Sequence, residues 1–542
     1  MTGTTRRIAI IGFGPRGLGA LEALVRCARR SCASFSVDIF DPEAWPAAGP
    51  NFSPDEPEVC LLNLPLRIID LPPPTGQGIA DFTEWAGAEG EEPEAYLPRA
   101  RLGAYLNARF SSLLASLPAG VTVSLDQRRI DAATRKDGAW QLESETAYFG
   151  PYDDVLLSLG QPQTRRDEQM ASWEAHAGKH RLDILPAYPG RAVVEAASGW
   201  QGKVVAIRGL GLSAIDVVRM LTIGLGGRFQ DGSYVPSGRE PGTIAPFSLD
   251  GHAPAPKPET AAIDARFEPS KGECEAFRAA LVAALSSDAD EPLAVLTDAL
   301  IAPARRILTE TGAFSRADEV ENWLVAERKE PGSQEARSTV EAIKGNIAEA
   351  EGRVAPSPGY VIGQLWRKWQ PLLREIFDSA QAGAETAEAI VKFDEGLKRY
   401  SYGAPVDTLY QLLALIDVGL VYPCATADPD ITLSPQGWRL QSAGRSVVAQ
   451  VMVDSVLPPP VLEMVSEPLL TGLREQNMLS PLKGGLGVRC APDGAVIRED
   501  GERVPGLWLA GRLASGSTIA NDSIHDCFAE TVDRWSQAMF KA

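Results

Sequence analysis

Three glycines near the start of the chain constrain its fold more than any other feature. A short apolar strand at residues 8–11 runs into Gly12, Gly14 and Gly17 and then into a helix with periodic apolar residues. The first glycine allows a tight turn, the second lets backbone approach a pyrophosphate, and the third lets helix and strand pack closely. Asp41 ends the next predicted strand, near the spacing of an acid that bonds a ribose hydroxyl. The run predicts a dinucleotide-binding turn, with phosphates at the helix N-terminus.

A second turn of the same kind lies near the middle of the chain, in residues 203–221. Gly209 and Gly211 occupy the first two glycine positions, and Ala214 stands at the third, where a small residue suffices for packing. Ser213 lies in the same turn and is a further predicted nucleotide contact. Two such turns in this order predict FAD at the first and a nicotinamide nucleotide at the second.

Composition narrows the class of protein. The chain has 542 residues, which predicts two or three domains, and a net charge of −19, which disfavours nucleic acid and anionic membranes as partners. No apolar run is long enough to span a bilayer, and we expect no secretory signal. The seven cysteines form no CxxC pair, and there are four histidines. We therefore expect a reduced, cytoplasmic protein without a metal site.

The order of the motifs predicts an α/β fold in which one domain is inserted in another. A three-layer, Rossmann-like FAD domain is formed by both ends of the chain, with a smaller NAD(P)-type domain and a helical subdomain between them. Residues 121–144 read as a small antiparallel meander, and residues 259–420 as mostly helical. The predicted segments are 1–198 and 463–542 for the FAD domain, 199–258 and 421–462 for the nicotinamide-type domain, and 259–420 for the helical subdomain.

Several segments resemble a known family. They are IIGFGPRGLGALEAL, the asparagine of LLNLP (Asn63), FTEW, YLPRARLGAYL, RGLGLSAIDVVRML, YVPSGREP and GLWLAGR. On these segments the chain resembles the FAD/NAD(P)-binding superfamily and, within it, a branch related to N-hydroxylating flavin-dependent monooxygenases. The resemblance implies an FAD-dependent oxidoreductase that uses NAD(P)H and O2 to hydroxylate the nitrogen of a small amine or amino acid.

The resemblance also implies FAD contacts at the positions that match its motifs, namely Gly12, Gly14, Pro15, Gly17, Asp41, Asn63, Gly160 and Gly511. Many flavoproteins place an aspartate after the late glycine, to contact the ribityl or phosphate region. This chain has Arg512 at that FAD-facing position.

The second nucleotide site departs further from the family pattern. Relatives that use NADPH commonly place an arginine after the second strand of the inserted domain, where a 2′-phosphate needs positive charge. The matching stretch here holds Asp250, which suits a free ribose hydroxyl. We therefore expect NADH to be favoured over NADPH. The return strand near residues 449–460 lacks the usual glycine, so loss of nicotinamide binding stays open.

The sequence does not identify catalytic residues, but Asn63, Arg67 and His525 are candidates. Arg67 follows Asn63 in a loop that the resemblance brings near flavin or substrate, where it either grips a substrate carboxylate or forms a surface ion pair. The turn at Gly516 leads into the last predicted helix, which holds His525 near its start. Either the N-terminus of that helix faces the flavin, or the segment is an ordinary capped helix.

In the helical region, Trp366 and Trp369 follow helical spacing and are predicted core residues, with a substrate-lining wall as the alternative. Arg367 and Lys368 lie between the two tryptophans, and either they attract an acidic substrate or their charges are simply solvated.

Two rival functions remain. One is an FAD oxidase or dehydrogenase that inserts no oxygen, and the other is a flavin-binding protein that has lost turnover. A small-molecule substrate is expected in either enzyme class, and a homo-oligomer is left open.

Overall fold

The structure is a computed structural model and describes residues 5–88, 90–286, 291–313, 318–424, 426–442 and 444–541. Strands and helices alternate through much of the chain. The strands are Arg6–Ile11 (β1), Phe35–Phe40 (β2), Val121–Asp126 (β3), Ala132–Lys136 (β4), Ala139–Ser144 (β5), Ala147–Tyr152 (β6), Asp154–Leu157 (β7), Asp183–Pro186 (β8), Val204–Arg208 (β9), Arg228–Gln230 (β10), Ser233–Val235 (β11), Thr243–Phe247 (β12), Asp430–Ser434 (β13), Gly437–Ser442 (β14), Arg445–Ala449 (β15), Val451–Asp454 (β16), Ala495–Ile497 (β17) and Arg503–Leu509 (β18).

The α-helices are Pro15–Ser31 (α1), Phe82–Gly87 (α2), Arg99–Ala115 (α3), Glu168–His180 (α4), Gly190–Ala197 (α5), Leu212–Met220 (α6), Ala261–Asp264 (α7), Lys271–Ala284 (α8), Pro292–Glu310 (α9), Glu319–Lys329 (α10), Thr339–Ala350 (α11), Pro358–Phe377 (α12), Ala384–Leu397 (α13), Val406–Asp417 (α14), Pro468–Glu475 (α15) and Glu530–Lys541 (α16). Within the described ranges, no helix combines the length and apolarity that a membrane span needs.

The first sheet has the strand order β17-β18-β7-β1-β2-β3, with β1 parallel to both β2 and β7. Side chains of β1 alternate between its faces. Ile8 and Ile10 pack with α1, α3 and α16, whereas Ala9 and Ile11 pack against the meander and α15. The predicted three-layer α/β architecture is therefore confirmed, and both chain ends contribute to it.

The predicted meander is partly wrong. The stretch VTVSL forms β3, which pairs in parallel with β2 at the edge of the first sheet. The antiparallel meander consists of β4, β5 and β6 instead. Alternating polarity is common to both kinds of edge strand, so the pattern alone could not distinguish the two partners.

The second sheet has the order β12-β9-β16-β8, and its strands are all parallel. β16 is the return strand that the sequence predicts near residues 449–460. β8 lies before residue 199, the predicted start of the nicotinamide-type domain, so the second sheet includes residues that the sequence assigns to the FAD domain. The reason is that β8 pairs with β16, from the far side of the helical region, and not with a neighbour in sequence.

The helical region from α7 to α14 shares one continuous apolar core with the second sheet. Trp369 stacks on Phe277 with ring centroids 4.3 Å apart, and Trp366 meets the same ring edge-on. Both tryptophans are buried. Their predicted role as core residues is therefore confirmed.

A fully buried ion pair joins two helices of the first unit. Arg109 of α3 donates from Nε and Nη2 to the two carboxylate oxygens of Glu22 in α1, both at 2.7 Å. Its Nη1 donates to the Pro72 carbonyl at 2.9 Å. Because both side chains are excluded from solvent, neither charge can be rehydrated in place when the other is removed.

We predict that Arg109→Met lowers the free energy of unfolding by about 3–5 kcal/mol, because buried Glu22 loses two charge-assisted hydrogen bonds and keeps only the partly exposed Arg26, 3.7 Å away, as a cationic neighbour. Urea denaturation followed by circular dichroism measures the change. The double variant Glu22→Met/Arg109→Met is the matched control and should lose much less. Equal losses in the single and double variants would contradict the account.

Candidate active site

The turn between β1 and α1 has the geometry that a dinucleotide phosphate needs. Gly12 has a φ of +83°, and a Cβ there would lie 2.7 Å from the carbonyl oxygen of Ser158. A Cβ on Gly17 would lie 2.8 Å from a neighbouring aromatic ring. Gly14 stands at the N-cap and Pro15 opens α1, so no capping side chain covers the first amides. This turn fits the pyrophosphate of FAD.

Asp41 lies at the end of β2, beside this turn, and is 5% exposed. Its carboxylate accepts the backbone N–H of Phe13 and, at 2.9 Å, that of Glu43. Burial raises the pKa of Asp41, although these two hydrogen bonds oppose the shift. Asp41 therefore holds the glycine turn to the next strand, and its contact to a ribose hydroxyl stays a prediction.

Of three further predicted flavin contacts, Gly160 and Gly511 follow strands that end at the same edge of the first sheet, and Asn63 lies in a separate loop. Gly160 follows β7 with a φ of +66°, and a Cβ there would meet nothing within 4 Å. Gly511 follows β18 with a φ of +102°. Because β7 and β18 are parallel to β1, all three strands end at one edge. Asn63 is half-buried in a loop whose Leu62 N–H donates to the Leu97 carbonyl at 2.9 Å.

Arg512 follows Gly511 and is held by the chain itself. Its Nη2 donates to the Pro458 carbonyl at 3.2 Å. Its Nε is buried and has no hydrogen-bond partner among the described residues. Burial lowers the pKa of Arg512, and the nearby Asp522 carboxylate opposes that shift. A cation therefore stands where many flavoproteins have an aspartate, and its contact to FAD stays a prediction.

The second glycine turn has the same construction on the second sheet. Gly209 follows β9 with a φ of +112°, and its N–H donates to the Phe247 carbonyl at 2.7 Å. Gly211 is the N-cap of α6, again without a capping side chain, and a Cβ there would meet nothing within 4 Å. Ser213 is half-buried in the first turn of α6. The turn fits the pyrophosphate of a nicotinamide nucleotide.

Asp250, the predicted ribose contact of this unit, is already paired. Its carboxylate accepts the Ser248 hydroxyl at 2.9 Å and the His252 N–H at 3.1 Å, and it forms an ion pair with Arg399 at 2.6 Å. Burial alone would raise the pKa of Asp250, but the backbone hydrogen bond and the guanidinium lower it below its usual value. Asp250 is therefore an anion with a cationic neighbour.

The candidates Arg67 and His525 lie close together. Arg67 pairs with Glu94 at 2.6 Å and lies 3.9 Å from Asp264, while its Nη2 is buried without a partner in the described residues. His525 Nε2 lies 3.1 Å from the carbonyl oxygen of Ile68, and burial lowers the pKa of this histidine. Arg67 thus does more than form a surface ion pair, because part of its guanidinium is buried. Catalysis by Arg67 or His525 stays a prediction.

The expected entry into the last helix differs from the structure. A short 3-10 turn, His525–Phe528, contains His525, and α16 begins only at Glu530. The segment after Gly516 is held by side-chain hydrogen bonds, such as that from Thr518 Oγ1 to Asn521 Oδ1 at 2.9 Å. No long helix therefore starts at the Gly516 turn.

The structure also assembles a buried cationic cluster that the sequence did not predict. We call it the Asp264 cluster, and its members are Asp264, Arg67, Lys257, Arg367 and Lys368. Arg367 hydrogen-bonds to the Asp264 carboxylate, and Lys368 Nζ lies 2.6 Å from it. Arg367 and Lys368 are therefore not simply solvated. The sequence offered no signal for Lys257, which lies between prolines and outside any helix.

A second buried group joins the two nucleotide-binding units. Arg99 of α3 lies 2.7 Å from the Asp216 carboxylate of α6, and its Nε donates to the Leu61 carbonyl at 3.1 Å. The Tyr188 hydroxyl donates to the same aspartate at 2.5 Å. Arg99 therefore anchors α3 of the first unit to α6, the helix that follows the second glycine turn.

A cavity of about 880 Å³ opens in the helical region. It borders Arg399, the partner of Asp250, and so lies beside the second nucleotide-binding unit. Trp323 and Tyr400 form part of its wall, with ring centroids 5.2 Å apart.

We predict that Gly12→Ala yields protein with less than about a tenth of the normal flavin content, because the added Cβ would clash with backbone at the binding turn. Flavin released from the denatured protein is measured by absorbance. Gly138→Ala is the matched control, since Gly138 also has a positive φ but a Cβ there would meet nothing within 4 Å. Normal flavin content in Gly12→Ala would refute the assignment of this turn.

Comparison with known proteins agrees with this geometry. Residues 9–162 match a family model described as FAD-NAD(P)-binding. The chain is 25% identical to the nitrosuccinic acid synthase of Aspergillus oryzae, with 91% of this chain and 85% of that relative covered. It is also 25% identical to an L-aspartate N-monooxygenase (nitrosuccinate-forming) of Streptomyces davaonensis, with 88% and 86% covered.

Two solved structures share the fold. The ornithine hydroxylase of Pseudomonas aeruginosa has a TM-score of 0.52 at 11% identity, with 99% of each chain covered. The cadaverine monooxygenase of Erwinia amylovora has a TM-score of 0.52 at 10% identity, with 100% of this chain and 95% of that chain covered. The chain thus combines an FAD/NAD(P)-binding domain with the fold of these enzymes, and it is related to the N-hydroxylating, FAD-dependent monooxygenases.

Proposed function

We propose that this chain is an FAD-dependent N-monooxygenase whose substrate is L-aspartate or a closely similar dicarboxylic amino acid. The observation that carries the proposal is similarity along about nine-tenths of the chain to two enzymes named for nitrosuccinate or aspartate N-oxidation. The two glycine turns support the cofactor requirement, because each presents an uncapped helix N-terminus at the end of a strand with parallel neighbours.

The roles of the chain's residues follow from their positions. Gly12, Gly14 and Pro15 form the turn that would hold the FAD pyrophosphate, and Gly209 and Gly211 form the turn for the nicotinamide nucleotide. The FAD held by the first turn would supply hydride acceptance and, once reduced, reactivity towards O2, which is chemistry that protein side chains lack. The loops after β7 and β18 and the helical region would orient the amino acid and exclude water.

The charge of the Asp264 cluster supports an acidic substrate. Arg67 and Lys257 each retain a buried nitrogen without a partner among the described residues. An arginine or lysine in such a position is suited to a carboxylate. The seven cysteines have free thiols, which supports the proposed cytoplasmic location.

The function is tested with the purified flavin-containing protein, L-aspartate, NADH or NADPH, and ¹⁸O2. We expect an N-oxidised product that carries ¹⁸O, detected by mass spectrometry, together with nicotinamide oxidation. L-Asparagine is the control, since it differs from L-aspartate only by an amide in place of the second carboxylate.

The same preparation separates the rival functions under anaerobic conditions. A monooxygenase of this kind should be reduced by the nicotinamide and not by L-aspartate, as followed by loss of the visible flavin absorption. Reduction by the amino acid alone would indicate an oxidase or dehydrogenase. No reduction by either reagent would indicate a flavin-binding protein without turnover.

We further propose that NADH is preferred over NADPH, since the Asp250 carboxylate after β12 would repel a 2′-phosphate. Asp250→Asn should shift the ratio of kcat/KM for NADH to that for NADPH by about tenfold towards NADPH, because it removes the repulsion and releases Arg399. Arg399→Gln is the control and should shift the ratio the other way. A wild-type enzyme that clearly prefers NADPH would overturn this proposal and leave the N-monooxygenase assignment intact.

A further inference from the structure

The charges around Asp264 do not balance. Four cations surround this carboxylate, namely Arg67, Lys257, Arg367 and Lys368. The other nearby carboxylates, Glu94 and Glu268, are largely exposed, with side-chain exposures of 45% and 62%. Water therefore screens those two anions, and the buried part of the Asp264 cluster carries excess positive charge.

Lys257 is the member of this cluster that lacks a counter-ion. Its side chain is only 3% exposed, and its Nζ has no hydrogen-bond partner among the described residues. Its ammonium lies over the ring of Tyr402, 5.1 Å from the centroid. Burial lowers the pKa of Lys257 to about 7; Arg367 adds to the shift, and the Asp264 carboxylate opposes it.

An unpaired buried ammonium destabilises a folded protein, and a cation–π contact offsets only part of that cost. A buried lysine of this kind is rarely retained for packing alone, because an apolar residue of similar volume would be more stable. Arg67 supplies a second unpaired donor, since its Nη2 is also buried without a hydrogen-bond partner in the described part of the chain. Arg67 Nη1 lies 3.9 Å from the Asp264 carboxylate, and Lys257 interacts electrostatically with the same carboxylate, so both unpaired donors belong to one cluster.

Contacts of neighbouring residues connect Lys257 and Arg67 with the loops that are predicted to bind FAD. Arg67 lies in the short turn Leu66–Ile68, and the carbonyl of Ile68 contacts His525 at 3.1 Å. On the other side, Tyr402 lies 5.7 Å from Lys398 Nζ, which pairs with Asp522 at 2.7 Å. Asp522 in turn interacts with Arg512, next to the end of β18. Lys257 and Arg67 therefore lie between the helical region and the loops at the edge of the first sheet.

We propose that Lys257 and Arg67 form a binding site for one carboxylate of the substrate, namely the carboxylate that distinguishes an acidic amino acid from a neutral one. The inference rests on the proposed function for the identity of the amino acid. The location of the site is inferred from the two unpaired buried donors, Lys257 Nζ and Arg67 Nη2. Lys257 and Arg67 are specificity-determining residues in this account, and Asp264 with Arg367 and Lys368 holds them in place.

The sign of the pH dependence follows from the charge of Lys257. A bound carboxylate favours the protonated lysine, so binding raises the pKa of Lys257 above about 7. Affinity is therefore greatest below pH 7 and declines as pH rises above it, and binding at pH 8 takes up a proton. The other titratable groups near this site are Arg67, Glu94, Tyr96, Asp264, Glu268, Arg367, Lys368, Lys398 and Tyr402. Burial raises the pKa of Tyr96 to about 12 and also raises that of Tyr402, so both stay neutral.

The test measures binding of succinate and of its monoamide, succinamate, to the flavin-containing protein by calorimetry at pH 8. Neither probe has an amino group, so the measurement does not depend on turnover. We expect succinate to bind more tightly than succinamate, and proton uptake to appear in buffers of different ionisation enthalpy. Lys257→Met should weaken succinate binding about 10- to 100-fold and abolish the uptake.

Lys257→Met should also raise the melting temperature of the ligand-free protein, because it removes an unpaired buried charge. A lysine that merely stabilises the fold would show the opposite change. Lys271→Met is the matched control, since the side chain of Lys271 is 92% exposed, and it should alter neither quantity. Arg67→Gln provides a second variant that weakens succinate binding if Lys257→Met does not fold.

The possible outcomes are separable. Unchanged succinate affinity in both Lys257→Met and Arg67→Gln would overturn the inference, whatever the enzyme does with L-aspartate. Tight, Lys257-dependent succinate binding without N-oxidation would support the carboxylate site and overturn the proposed function. A lowered melting temperature in Lys257→Met with unchanged affinity would assign Lys257 to the fold alone and overturn the inference.

Discussion

The guanidinium of Arg99 and the carboxylate of Asp216 form the buried ion pair on which the arrangement of the two nucleotide-binding units depends. Arg99 begins α3 in the first unit, and Asp216 lies on α6, directly after the second glycine turn. A buried charge without its partner is costly, so the pair opposes rotation of one unit against the other. Transfer of a hydride between two bound nucleotides needs such a fixed separation.

Local signals made much of the fold predictable. The glycine turns at Gly12 and Gly209 require a positive φ, and only a few residue types satisfy that requirement, so sequence identifies them directly. The edge strand β3 was assigned to the wrong sheet, and the segment that holds β8 to the wrong unit, because the partners of both strands lie far away in sequence. The Asp264 cluster was not predictable for the same reason. Lys257 has no periodic neighbours, and although Asp264 is close in sequence, Arg67 lies 190 residues before Lys257 and Arg367 lies 110 residues after it.

Asp250 shows the limit of interpreting one residue at a time. From sequence, an acid after the second strand of a nucleotide unit indicates a ribose contact. In the structure, Arg399 from the helical region pairs with it at 2.6 Å. The charge that a nucleotide meets here is therefore a property of the pair. The helical region thus adds electrostatics to a unit whose turn is otherwise determined locally.

The first sheet contains strands from both chain ends, with β18 beside β7, and the helix α16 packs against α1. A ribosome releases the N-terminal glycine turn hundreds of residues before the strand and the helix that complete its surroundings. Contacts with such long sequence separation form late, because loop closure must precede them. A flavin would therefore meet a finished pocket only after β18 and α16 have been synthesised, and the early strands must meanwhile avoid pairing with other chains.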